Sequence, residues 1–350
     1  DPVTHTAKGI LIEEQRTNAV KYSDQLDNAL WTHNASITVT ANTTDTTAPN
    51  NTNTAEKISI AISSPVIFAQ NSIVNSGTTA TYSVYVKQGS GATHGNQFCL
   101  RNQTTSTNLI CGSLNYSTGV FTYGLGSSGV SVQALQNGWL RLIISANSGI
   151  TSGDSLVAYI GYIGGSYPIG HYIYAWGAQL EAGNFPTSYI PTTTAAVTRQ
   201  ADALTIPHGS WFTLAGGSWY GEAFGSKNHF NGRIIGVANT YANFIAYSGV
   251  SGSALESYGN PGNIYAPISP AASSTVSGKY AMNWSNTALT KRLVANSGTI
   301  TNGTGITPYS GSGINIGSNG SSGNYIDESI HKIKFYPSVI SDTQLQLLTQ

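Results

Sequence analysis

Side chains able to do acid–base or nucleophilic chemistry are few in this 350-residue chain: Lys and Arg together number 15, Asp and Glu 15, His 7 and Cys 2. The local acidic groupings are Glu13-Glu14, Asp24 with Asp27, and Asp327-Glu328. Hydrolysis of a glycosidic bond needs two carboxylates on one cleft, roughly 5–9.5 Å apart. Nothing in the sequence supports such a pair. The histidines at 5, 33, 94, 171, 208, 229 and 331 are scattered without ligand spacing. His171, in GGSYPIGHYIY, sits in a loop before a strand and is the one placed to touch a ligand, although such a residue is more often a plain loop histidine. There is no G-x-S-x-G elbow, H-E-x-x-H, C-x-x-C or G-x-x-x-x-G-K-[ST] loop. The expectation is a protein that is not an enzyme and requires no cofactor.

Stacking is the chemistry the chain does favour. Sugar rings lay C–H faces on Tyr and Trp, while Asn, Ser, Thr and backbone groups read their hydroxyls. The stretches NTYANFIAYSG and ESYGNPGNIYAP put Tyr241, Tyr247, Tyr258 and Tyr265 in or beside Asn/Gly/Pro loops, and Trp284-Ser285-Asn286 adds a fifth aromatic. These five are the expected carbohydrate-binding residues. The competing role is core packing, which the alternation of Trp219, Phe224, Phe244 and Phe335 follows.

Cys99 and Cys111 flank QFCL–RNQTTSTN–LIC, which reads as a hairpin with the thiols near its facing ends. A cross-strand disulfide and two buried free thiols are both open at this point. Two sulfurs with no neighbouring histidine make a poor metal site.

The elements that must position these groups are strands. Charged residues are 9% of the chain, against roughly 25% in an average soluble domain. Polarity comes instead from Ser, Thr and Asn, with 39 Gly besides. So few and so dispersed cations argue against nucleic acid as a partner. Disorder is argued against by 20 Tyr, 6 Trp and frequent Val/Ile runs. No apolar run approaches the roughly 18 residues of a membrane span, so no membrane insertion is expected. No signal peptide is visible, and the start at Asp1 without a methionine reads as a fragment or processed piece of something longer.

Alternating or β-branched runs bounded by Gly, Asn and Ser recur at 35–41, 79–88, 138–146, 155–163 and 172–181. The pattern restarts at 217–225 and continues to 330–337. Strands at such spacing, with no helices between them, indicate sandwiches. Ser341 caps a short terminal helix in SDTQLQLLTQ. The expected architecture is all-β: a jelly roll over 1–190, an extended linker or strap over 191–202, and a second sandwich over 203–350.

Several phrases also carry a resemblance. DPVTHTAKGILIEEQRTN (1–18) and YSDQLDNALW (22–31) resemble the start of a module common in bacteriophage tail and other virion proteins. WGAQLEAGNFPTSYIPTT and VTRQAD look like that module's closing strand and exit. GSWYGEAF and HKIKFYPSVISDTQLQLL resemble the concanavalin A-like (laminin-G-like) sandwich that often follows it. Together they span nearly the whole chain. The resemblance implies a carbohydrate-binding-module-like jelly roll followed by the concanavalin A-like domain, on the extracellular surface of a phage particle. It implies lectin-like binding of host-surface polysaccharide without cleavage, alongside other virion proteins and in a homo-oligomer, a trimer for a fibre or spike. A purely structural virion protein, a capsid decoration or tail component, is the alternative, and a glycan-processing enzyme comes third. Related jelly rolls often hold a structural calcium ion, which here would fall to Asp24 and Asp27. Arg16, Arg199 and Asp202 read as structural. Trp176, Leu180, Phe185, Tyr189 and Ile190 are expected to pin the last strand and its strap over a core edge, with Pro186 and Pro191 fixing the exit.

Overall fold

The structure, a computed structural model, describes residues 9–35, 37–61, 68–90, 94–161, 169–213, 215–226, 233–237, 243–247, 254–257, 264–267, 275–304, 313–318 and 328–350. The protein is all-β, with antiparallel strands throughout and, among the described residues, one 3-10 turn at Gln136–Gly138 and one short α-helix at the C-terminus. It divides into two compact units: Arg16–Arg199, and the described part of Ala7–Gln15 together with Gln200–Gln350.

In the first unit, two six-stranded sheets enclose the core. One runs Phe121–Leu125, Thr107–Asn115, His94–Asn102, Ser155–Gly161, Phe68–Val74, Trp31–His33; the other runs Val130–Ala134, Trp139–Ala146, Ala80–Ser90, Tyr172–Ala182, Glu56–Ile60, Ile37–Thr40. Strand alternation decides what lies between them. Tyr82, Val84 and Val86 face inward with Leu140, Leu142 and Ile144, and meet Phe98, Leu100, Leu114 and Leu156 of the other sheet. Residues of opposite parity, Tyr85, Trp139, Tyr174 and Trp176, form a separate buried cluster on the far face. That sheet is therefore covered on both sides.

Gly177 makes the second cover possible. Its φ of +62° accompanies a break in register between Trp176 and Gln179. The extra residue switches parity, as a bulge does. Ile173 and Ala175 face the core before it, and Ala178 and Leu180 after it. Gln179 and Glu181 thereby emerge on the side of Trp176.

The second unit repeats the principle. Its first sheet runs Ile10–Ile12, Glu328–Tyr336, Gly216–Ser226, Thr275–Ser285, Thr290–Ala295, Thr301–Thr304; its second runs Leu204–Pro207, Gly313–Ile316, Arg233–Val237, Asn243–Tyr247, Ala254–Ser257, Ile264–Pro267. Trp219, Met282 and Trp284 pack against Ile234, Ile314 and Ile316. The helix Asp342–Leu348 starts at Ser341 with a reciprocal capping box to Gln344 and buries Leu345 against Tyr220, Ala281 and Val294.

Residues 10–12, read with the first module from sequence, pair in register Ile10↔Ile330 through Ile12↔Glu328 and so belong to the second unit's sheet. The segment read as a linker over 191–202 is fixed within the first unit as far as Arg199, where Val197–Arg199 pairs with Arg16–Asn18, and its last residues belong to the second unit. Thr192 is buried and donates its hydroxyl proton to the Val20 carbonyl at 2.7 Å.

Candidate functional site

The phrase QLEAGNFPTSYIPTT forms a strap whose backbone is held by four buried polar side chains. Glu181 accepts from the Gln179 amide at 2.7 Å, from the Thr187 N–H at 3.0 Å and from the Thr187 hydroxyl at 2.5 Å. Gln179 Oε1 accepts from the Ile190 N–H at 2.7 Å, and the Asn18 amide donates to the Ile190 carbonyl at 2.8 Å. Arg141 donates to the Thr187 carbonyl at 2.7 Å. The strap lays Tyr189 on Trp176, with ring centroids 4.4 Å apart. Loop 43–54 holds the rest of the same face, where Trp139 donates to the Thr47 carbonyl and Trp176 to the Thr54 hydroxyl. This aromatic sheet face is closed by the chain's own segments, so its rings hold the strap and loop in place.

Lys57 sits over the Tyr172 ring at 4.1 Å and pairs with Asp45 at 2.9 Å. The hydrogen bond from Lys57 holds the Asp45 carboxyl below its ordinary value.

An apolar concave site lies in the second unit. A cleft of about 490 Å³ is bordered by Ile10, Ile206, Trp211 and Phe335 and floored by Trp219 and Ile316. Trp211 is the only aromatic among the large apolar side chains left exposed in the described residues, at 40%. Its indole meets the edge of Phe335 at 5.4 Å and tilts on Phe212 at 5.4 Å, so the ring is pre-positioned.

The sequence-predicted residues fall as follows. Trp284 is fully buried in the second core, against Phe212 and Phe335, and offers no surface to a sugar; its assignment as a ligand contact is corrected. It ends the inward series Tyr280, Met282, Trp284. Tyr247 and Tyr265 lie on strands Asn243–Tyr247 and Ile264–Pro267, opposite Leu255 and Glu256. Tyr241 and Tyr258 lie outside the described residues. His171 is half-buried and its carbonyl accepts from the Ile60 N–H at 2.8 Å, as a strand-start residue does. The Arg16 guanidinium lies 4.4 Å over Phe185, and Arg199 is its register partner. Asp202 accepts from the Glu13 N–H at 2.9 Å.

Cys99 and Cys111 are direct cross-strand partners, Cα atoms 4.1 Å apart, and are joined as a disulfide.

Among the described residues no three His, Cys, Asp or Glu side chains are gathered as a metal-binding group. Asp24 and Asp27 occupy the opening turns, where burial raises the Asp24 pKa. Glu56 went unnoticed in the sequence, because it begins a strand whose other inward positions, Ile58 and Ile60, are aliphatic. It is fully buried. One carboxylate oxygen accepts from the Asn42 N–H at 3.3 Å, and the other has no hydrogen-bond partner among the described residues. Burial, with the nearby charges of Asp27 and Asp24, pushes its pKa up to about 7.

The sequence matches no protein-family profile and no curated protein. Among solved structures the chain is similar to the CBM22-1 xylan-binding domain from Paenibacillus barcinonensis Xyn10C, at 13% identity and a TM-score of 0.26, over 50% of this chain and 96% of that one. It is also similar to domains LG4-5 of the mouse laminin alpha1 chain, at 10% identity and a TM-score of 0.26, over 95% of this chain and 91% of that one.

Proposed function

We propose that this chain is a non-hydrolytic glycan-binding protein of a phage virion, an appendage component that attaches to host-surface polysaccharide. The observation that supports it best is Trp211, a positioned and exposed indole at the mouth of a concave site. Such a ring offers a stacking face at the rim, outside the apolar lining of the cleft, and the chain's Ser, Thr and Asn content is of the kind that reads sugar hydroxyls. The virion setting rests on the sequence phrases at 1–18, 22–31, 176–202, 217–224 and 331–348. Single sites of this kind are weak, and display in several copies, as in a trimeric fibre, converts them to firm attachment. Calcium at Asp24 and Asp27 belongs to the same proposal, with backbone carbonyls as the further oxygen ligands such sites use.

A glycan array probed with the whole chain, in calcium and in chelator, tests the proposal. Saturable binding to bacterial surface polysaccharides is expected, reduced about tenfold or more by Trp211→Ala, as removal of a stacking ring predicts. A Tyr258→Ala/Tyr265→Ala variant asks whether the tyrosines predicted from sequence share the site. Silence across the array from folded protein, with assembly onto virions intact, moves the assignment to a structural virion component.

A further inference from the structure

The second unit's sandwich is open along one side, where its sheets end in the edge strands Ile10–Ile12 and Leu204–Pro207. Ile10 has the inward parity of Ile12, and Ile206 that of Leu204; Ile12 is a core residue and Leu204 packs against the same core. Yet Ile10 is 56% exposed and Ile206 39%. Core-facing aliphatic side chains left this open mark a surface suited to an apolar occupant. The volume between them, about 490 Å³, falls within the roughly 300–1,000 Å³ usual for small-molecule sites.

The lining is chemically one-sided. Apart from Gly9, it consists of aliphatic and aromatic side chains and two ionisable ones, His331 and Lys332, and both of those are basic. Their side chains are 50% and 47% exposed, and both lie within 4 Å of Glu222, at 3.7 and 3.8 Å. A sugar pushed inside would strip its hydroxyls of water with few groups to receive them. A hydrocarbon chain would meet only like surface. Lys332 is the cation at the mouth and would attract an anion there, with Glu222 offsetting part of that pull.

We propose that this cleft binds an anionic amphiphile, with its hydrocarbon chain between the edge strands and its carboxylate or phosphate head beside His331 and Lys332. The inference goes beyond the glycan reading and does not depend on it, because the ligand that fills the cleft need carry no sugar.

Calorimetric titration of the full chain tests it with octanoate, decanoate, dodecanoate, dodecyl phosphate, dodecyltrimethylammonium and inorganic phosphate, all below micelle-forming concentrations. One site per chain is expected for the anionic amphiphiles. Affinity should rise about three- to fourfold per added methylene until the cleft is full, as burial of each methylene predicts. Dodecanoate and dodecyl phosphate separate a carboxylate from a phosphate head, and inorganic phosphate alone should give no saturable heat. The cationic amphiphile should bind at least about fivefold more weakly than dodecanoate, and Lys332→Gln should weaken dodecanoate about two- to fivefold, the scale of an exposed ion pair. Ile206→Asp, on an exposed edge strand, should weaken it about tenfold or more, with Ile10→Asp as the second cleft variant should the first fail to fold. Equal affinity for cation and anion, no dependence on chain length, or no saturable binding by protein with an intact β spectrum overturns the proposal. So does a concentration-dependent dimer that Ile206→Asp converts to monomer, because a second copy then covers the cleft.

Discussion

The Thr187 hydroxyl donates to the Glu181 carboxylate at 2.5 Å, with both residues buried. Around that bond the strap acquires its backbone partners. The carboxylate also takes the Thr187 N–H and the Gln179 amide, and Gln179 in turn takes the Ile190 N–H. A buried carboxylate is tolerable only when hydrogen-bonded this fully, so the strap and the strand that carries Glu181 stabilise each other. Thr187→Ala removes the hydroxyl donor and should lower the first unit's stability by about 1.5–3 kcal/mol, the worth of a hydrogen bond to a charged group. Thr187→Ser should recover most of it. Urea unfolding of both variants checks this, and a Thr187→Ala midpoint equal to wild type would show that the strap is held elsewhere.

Gly183 should be the least replaceable residue of the same strap. Its φ is +126°, a backbone region that side chains strain to adopt, and a Cβ there would overlap the Arg16 guanidinium. Arg16 is in turn held over Phe185 at 4.4 Å. Gly183→Ala should therefore cost about 1–3 kcal/mol. In an Arg16→Ala background the steric share should vanish while the backbone share remains, so the two changes should be less than additive in thermal unfolding. Strict additivity would mean that the overlap relaxes without cost.

Much of this architecture could be read from the sequence, because alternation and turn residues act locally. Tyr82, Val84 and Val86 announce an inward face by period alone. The strap could be read as a strap because two prolines and a threonine run do not continue a strand. Trp284 was misread on account of its neighbours: Ser285 and Asn286 suggested a loop, whereas the parity of Tyr280 and Met282 already directed it inward. Trp211 was passed over because GSWF shows no alternation, and its exposure depends on the distant Phe335. The placement of Ile10–Ile12 opposite Glu328–Ile330 is a pairing more than 300 residues apart in sequence, which no local pattern encodes. Glu56 is the clearest case. A lone carboxylate at an inward position looks like a strand terminus until the fold shows what covers it.

The disulfide separates two outcomes that the sequence left open. Cys99 is fully buried and Cys111 nearly so. Unfolded without reductant, the chain should take up no iodoacetamide; unfolded after reduction, it should take up two equivalents by mass. The bridge spans 12 residues, and its loss should lower stability by about 2–4 kcal/mol. Two equivalents incorporated without reductant would establish free thiols instead.

Glu56 sets the sign of a pH dependence. Its folded pKa is raised by burial from 4.5 to about 7, with Asp27 and Asp24 adding to the rise. Between those two values the folded protein holds a proton that the unfolded chain has released. Stability therefore falls as pH rises through this window: the contribution is fully present below pH 4.5 and lost once pH passes 7. The size is on the order of 3 kcal/mol, at ~1.4 kcal/mol per pH unit. Glu56→Gln keeps the shape and removes the titration, so the difference between variant and wild type isolates this group from the histidines. Thermal unfolding from pH 4 to 8 in chelator should show wild type losing stability relative to Glu56→Gln across that range. Calcium at Asp24 and Asp27 would favour the ionised carboxylate, so millimolar calcium should restore stability at pH 8 in wild type and less in the variant. A parallel pH profile for the two proteins in chelator would remove Glu56 as the titrating group, and an equal calcium response in both would separate it from the proposed ion.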